Sequence, residues 1–204
     1  MKKVSTLIFV AMLCASLHAQ AKDMKTALVL IDIQNDYFAG GKMPLDQPEA
    51  AADKAQLILE DCRRKQVPII HIQHLANRAN PTFFIPNTPG AAINKRVRPL
   101  VDETIIVKHY PNSFIETELL ACLKSKNIEH LLICGMMTHM CVDATTRAAK
   151  DMGFNCTVVG DACATKSLSI NNETVEAAEV QKAFLGALNY YYSSVVTADQ
   201  YLNR

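Results

Sequence analysis

Six stretches of nearly unbroken apolar residues punctuate the chain, at 26–33 (TALVLIDI), 67–73 (VPIIHIQ), 104–108 (TIIVK), 130–135 (HLLICG), 155–160 (NCTVVG) and 194–197 (SVVT). Continuous rather than alternating apolar runs of this length read as strands buried on both faces. Between them lie apolar positions at helical spacing, over 49–65, 114–126, 139–152 and 173–192, the third stopped by Gly153. Alternation of strand and helix predicts an α/β fold, a parallel sheet with helices on both faces, in one domain spanning residues 22–204. Residues 74–102 break the rhythm with four of the eight prolines and the pair Phe83-Phe84. So long a connection is either a wall or lid over a pocket or a folded excursion that packs on the surface or against another subunit.

The first 21 residues stand apart. Lys2 and Lys3 precede an apolar run over residues 4–17, and Ala19-Gln20-Ala21 provides small residues at a cleavage-like spacing. This is the pattern of a secretory signal peptide, so the chain is expected to be exported, to the periplasm or beyond. The run is shorter than the roughly 20 residues of a spanning helix, so no membrane anchorage is expected after cleavage. Of 21 basic and 20 acidic side chains, removal of the leader leaves 19 and 20, with no block of like charge, which excludes nucleic acid as an expected partner. The six cysteines beyond the leader follow no metal-binding or C-x-x-C cadence, although export would permit pairing. The seven glycines match neither the dinucleotide fingerprint nor the phosphate loop, so no nucleotide cofactor is expected.

Three residues carry candidate chemistry. Asp32 lies near the end of the most apolar strand, between Ile31 and Ile33, where a carboxylate must be paired, hydrogen-bonded or used. Lys108 closes the strand Ile105-Ile106-Val107; alone, it reads as an ammonium reaching for water. Cys141 follows the strand ending at Cys134 and is expected in the first turn of the next helix, where the helix N-terminus lowers a thiol pKa; an inert core thiol is the bland alternative. Together they set an acid, an ammonium and a thiol near the C-terminal ends of three parallel strands, the edge where open α/β sheets place their sites.

The segments Asp32-Ile-Gln-Asn-Asp36-Tyr37, Lys108-His-Tyr-Pro-Asn-Ser113-Phe114 and Gly135-Met-Met-Thr138-His-Met-Cys141-Val142 resemble the isochorismatase-like cysteine hydrolase superfamily, and the resemblance runs through Asp161-Ala-Cys-Ala-Thr165. It implies a six-stranded parallel sheet of order 3-2-1-4-5-6 in a three-layer α/β/α sandwich, and a catalytic triad of Asp32, Lys108 and Cys141. It also implies an oxyanion hole from the backbone N–H groups of Met137 and Cys141, beside a cis peptide between Met136 and Met137, and places Tyr37 in the substrate pocket or in the packing beside it. Lys108, from the third strand, has the farthest to reach. Such a set permits attack of sulfur on an amide carbonyl through a thioester, with no cofactor.

Departures from the family pattern narrow the reading. The acidic residue and histidine spacing of the metal-dependent nicotinamidase branch are missing after the second strand, so His71 and His74 read as pocket or core histidines and no metal is expected. The branch that cleaves the vinyl ether of isochorismate lacks the nucleophilic cysteine present here as Cys141. The expected protein is therefore an amidohydrolase acting on a small amide, ureido or related C–N bond. Its alternatives are a silent small-ligand-binding member of the family and a thiol redox protein pairing Cys141 with a cysteine such as Cys163. The resemblance implies a homo-oligomer, and Tyr190 to Tyr192 are compatible with its interface.

Overall fold

The computed structural model describes residues 24–203, so the leader assigned to residues 1–21 lies outside the described residues. Eight strands run β1 (Thr26–Ile31), β2 (Ile69–His74), β3 (Thr104–Lys108), β4 (His130–Met136), β5 (Asn155–Ala164), β6 (Leu168–Ile170), β7 (Glu173–Val175) and β8 (Ser194–Val196). The helices are α1 (Pro48–Arg64), α2 (Leu119–Ser125), α3 (Asp143–Asp151), α4 (Ala177–Ala187) and α5 (Ala198–Leu202). Six strands form one parallel sheet in the order β3-β2-β1-β4-β5-β8. With β8 sixth along the chain within that sheet, this is the expected 3-2-1-4-5-6 order, and flanking helices complete the three-layer sandwich.

The apolar runs do what their continuity predicts. Ala27 to Ile31 and Leu131 to Cys134 are at most 2 % exposed, because β1 and β4 are central and covered on both faces. Helix α1 begins with Pro48 at its first position and lays Ala51, Ala55, Ile58, Leu59 and Cys62 against the sheet, the stripe that 3.6 residues per turn requires.

The last predicted helix is shorter than its apolar pattern suggested. Residues 173–175 are strand β7, which pairs with β6 in a hairpin whose turn residues Asn171 and Asn172 have φ of 53° and 64°. Two adjacent left-handed residues make the tight turn that matches strand twist, and asparagine tolerates that conformation. Residues 114–118 likewise stay out of α2, and the second half of β5 extends to Ala164, past the predicted end at 160.

Two conformations shape the sheet edge that carries the candidate residues. Asp32, directly after β1, takes φ 51° and donates its N–H to Ile72 O. In β4, Gly135 has φ +140°, and a Cβ there would stand 2.0 Å from Ile31 O. Only glycine lets β4 come this close to the end of β1, beside a register shift between β4 and β5.

Candidate active site

The parallel order reverses between β1 and β4, the switch point at whose C-terminal edge open α/β sheets place their sites. Asp32 reaches this edge from β1 and Cys141 from the π-helical turn Thr138–Val142 that follows β4 and the cis Met136–Met137 peptide. Cys141 thus sits in the turn before α3, not in the first turn of the helix itself. Lys108 comes from two strands away. In the β2–β3 register it lies opposite His74, and its side chain passes that residue to bring Nζ 2.7 Å from Asp32 Oδ2. Asp32 and Lys108 have no exposed surface and Cys141 only 4 %.

A buried ion pair needs hydrogen bonds beyond its own attraction, and the lysine has them. Nζ donates to Tyr110 O at 3.0 Å and His74 Nδ1 at 3.0 Å, with Pro111 O at 3.4 Å. Burial works against the Lys108 charge, but Asp32 outweighs it and keeps the ammonium pKa above its ordinary value. Burial likewise raises the Asp32 carboxyl, and the adjacent ammonium more than reverses this, holding it below its usual value. Cys141 moves the other way: burial and the Asp32 charge push its thiol well above the ordinary range, despite Lys108. The expected lowering by a helix N-terminus is therefore not what governs this thiol. Both directions favour a neutral thiol beside an ionised carboxylate.

His74 joins this group. Its Nδ1 is 4.0 Å from Cys141 Sγ and 3.8 Å from Asp32 Oδ2, and donor atoms of Asp32, His74 and Cys141 all lie within 4.8 Å of one another. Three such atoms could hold a metal ion, but the Lys108 ammonium already sits at hydrogen-bonding distance from two of them, a cation in the place a metal would take. His71, by contrast, belongs to the core. It is 1 % exposed and bonds Glu103 at the opposite end of the sheet's edge.

Within residues 74–102, positions 84–94 are tied to the first motif. Asp36, from the 3-10 turn Asn35–Tyr37, accepts the Phe84 N–H at 2.7 Å and the Lys42 N–H at 3.2 Å. Gly90 packs so tightly on the Asp36 carboxylate that a Cβ would stand 2.2 Å from Oδ1. Asn35 donates to Pro89 O, and Asn94 ties back to Asn35 and Ile33. Phe84 is thereby wedged between Tyr37, 4.7 Å away edge-on, and His74, 5.7 Å away. Tyr37 is 1 % exposed, and burial together with the nearby Cys141 and Asp32 raises its phenol pKa. On the other side, Ser113 binds Thr145 through both its N–H and its hydroxyl, tying the loop after β3 to α3. Asp161 accepts the Ala198 N–H at 2.7 Å, at the start of α5, whose N-cap is Thr197.

The structure thus brings Asp32, Lys108, Cys141 and Tyr37 together, with Met137 beginning the turn that carries the cysteine. Sequence reasoning read His71 and His74 alike as pocket or core histidines without separating them, and gave no role to Gln34 or Asp36, which stand inside the first motif. Asp36 had a signal in the polar run that follows the strand; Gln34 had none.

A model of the isochorismatase domain matches residues 26–200. The isochorismatase family protein YddQ of Bacillus subtilis is 49 % identical over 179 residues, 88 % of this chain and 99 % of that protein. Streptothricin hydrolase of Streptomyces noursei is 30 % identical over 79 % of this chain and 59 % of its own. Among solved structures, an isochorismatase hydrolase from Oleispira antarctica superimposes with a TM-score of 0.86 at 43 % identity, covering 89 % of this chain and 98 % of that one.

Proposed function

The chain belongs to the isochorismatase family of hydrolases, and from that premise we propose that it cleaves a C–N bond of a small amide or ureido substrate through a thioester on Cys141. The observation that carries this reading is the Cys141 sulfur lying within 4.8 Å of an Asp32 carboxylate oxygen that the Lys108 ammonium holds at 2.7 Å, all nearly sealed from water. Asp32 takes the thiol proton as sulfur attacks the carbonyl carbon, so charge passes from carboxylate to substrate oxygen without a free thiolate. The oxyanion receives the backbone N–H groups of Met137 and Cys141. Collapse breaks the C–N bond, and Asp32 returns its proton to the departing amine. Asp32 then deprotonates a water that attacks the thioester, which releases the acid and restores the thiol. Lys108 keeps Asp32 ionised between the two half-reactions. Tyr37 and Phe84, both fully buried, back the site from within the core, and no step calls for a cofactor. The hydrolytic name of the streptothricin relative is in keeping with this chemistry.

We further place the protein outside the cytoplasm, on the leader pattern of residues 1–21, and read it as a homo-oligomer. The catalytic proposal is tested with a panel of small primary amides and ureido compounds, quenched during turnover and mapped by peptide mass spectrometry. The expected result is an acyl adduct on the Cys141 peptide and a loss of turnover of about a thousandfold or more in C141A. Turnover without an adduct, and undiminished in C141A, rejects the mechanism.

A further inference from the structure

Gln34 is fully buried and spends its whole side-chain amide on Ala91 and on one residue of β2. Its Oε1 accepts the His74 N–H at 2.7 Å, and its Nε2 donates to His74 O at 2.9 Å and to Ala91 O at 2.8 Å. Both backbone polar groups of His74 are held by this fork, while Phe84 packs on its ring. A half-buried side chain fixed so completely has a set orientation, and that orientation presents Nδ1 to Lys108.

An ammonium has three protons and no acceptor. Those of Lys108 find Asp32 Oδ2, Tyr110 O and His74 Nδ1, with Pro111 O a longer fourth contact. Because a protonated lysine can only donate, Nδ1 must carry the lone pair and Nε2 the proton. The Cys141 sulfur also lies within hydrogen-bonding reach of this ammonium, and sulfur is the weaker acceptor.

We propose that His74 is a positioning residue which directs the Lys108 ammonium: its Nδ1 takes the proton that would otherwise turn to the Cys141 sulfur, reserving Asp32 as the group that receives the thiol proton. The Asp32 carboxylate, with an oxygen within 4.8 Å of Sγ, is the acceptor to which that proton passes. The inference rests on Cys141 and Asp32 acting as thiol and base, and it adds how the ammonium is kept from bypassing the base.

The test reads the thiol directly. Iodoacetamide labelling of the folded protein at pH 7.5, followed cysteine by cysteine, is compared for wild type, H74F and H74N. Phenylalanine fills the space without an acceptor, so the freed ammonium proton turns to sulfur and Cys141 labels about fivefold faster or more, while buried Cys134 and Cys163 stay unlabelled. Asparagine restores an acceptor near the Nδ1 position, and its rate falls back toward wild type. A rate in H74F equal to or below wild type, or H74F and H74N alike, overturns the proposal. Should H74F expose every cysteine, nitrogen NMR of histidine-labelled wild type decides instead: a bare, hydrogen-bonded Nδ1 on His74 is expected, and a protonated Nδ1 overturns it. None of these readouts needs turnover, so a failed amide screen and a failed His74 test are separate results.

Discussion

A single missing methyl group holds the site together at Gly135. A Cβ there would meet a backbone carbonyl, Ile31 O, which cannot swing aside as a side chain can, and φ +140° is strained for any other residue. G135A is expected to cost about 3 kcal/mol or more in urea unfolding, with Cys141 displaced from Asp32 because β4 must retreat from β1. An effect below about 1 kcal/mol would mean that the strands yield easily here. At the same scale, Asp32 and Cys141 were legible in the sequence because charge and sulfur at the ends of apolar strands demand a reason. His74 was not, since His71 and His74 are equally plausible on one strand. They stand three residues apart and so project to opposite faces, and only the folded sheet says which face meets Lys108. The direction of the Cys141 thiol shift was also hidden, because spacing reports a nearby helix but not the desolvation and carboxylate that outweigh it.

Among the elements, the outer edge of the sheet is stapled by Glu103, at the start of β3. Arg63 of α1 donates to it from Nε at 2.7 Å and Nη2 at 2.9 Å, and it also accepts from His71 Nε2 and the Leu100 N–H. Burial raises the Glu103 carboxyl, but these donors outweigh it and bring the pKa from 4.5 to about 2. A carboxyl lowered on folding stabilises the native state above its unfolded pKa and loses that contribution as pH falls through the folded one. The contribution, about 2–3 kcal/mol for a side chain only 7 % exposed, is therefore expected in full at pH 7 and lost between pH 4.5 and 2. Urea unfolding of E103Q against wild type checks this: a gap at pH 7 that closes near pH 2.5 is expected, and a gap independent of pH contradicts it. The network joins α1, β2 and β3, elements whose existence the apolar pattern predicted but whose mutual contacts it could not. The hairpin β6–β7 went unread for a different reason. Its apolar residues continue into α4, so the Asn171-Asn172 turn was masked by a helical period that begins only after it.

For the whole molecule, the face of α4 and the π-helical turn after it carries exposed apolar and aromatic residues. Ala183, Gly186, Ala187, Tyr190 and Tyr191 lie exposed within one run of helical spacing, Tyr190 at 91 %, with Ile170 of the hairpin also exposed. A second copy of the chain is the occupant we expect there, since aromatic and small residues together suit a helix-to-helix contact. Sedimentation is expected to give a mass of at least two copies of the chain without its leader, and Y190D to shift it toward the monomer; a monomeric wild type rejects the assignment. No helix among the described residues is long and apolar enough to cross a membrane. By itself the sequence determined the alternation of strands and helices, hence the layered parallel sheet, because burial on both faces leaves a pattern in every strand. It also determined which thiol and carboxylate leave neighbouring strands. Only the tertiary structure decided that Lys108 reaches Asp32 across an intervening strand, that residues 84–94 are tied to the first motif, and that His74 completes the cluster. These depend on distances between segments far apart in the chain, set by strand order and by the close approach at Gly135, and no local pattern of residues encodes them.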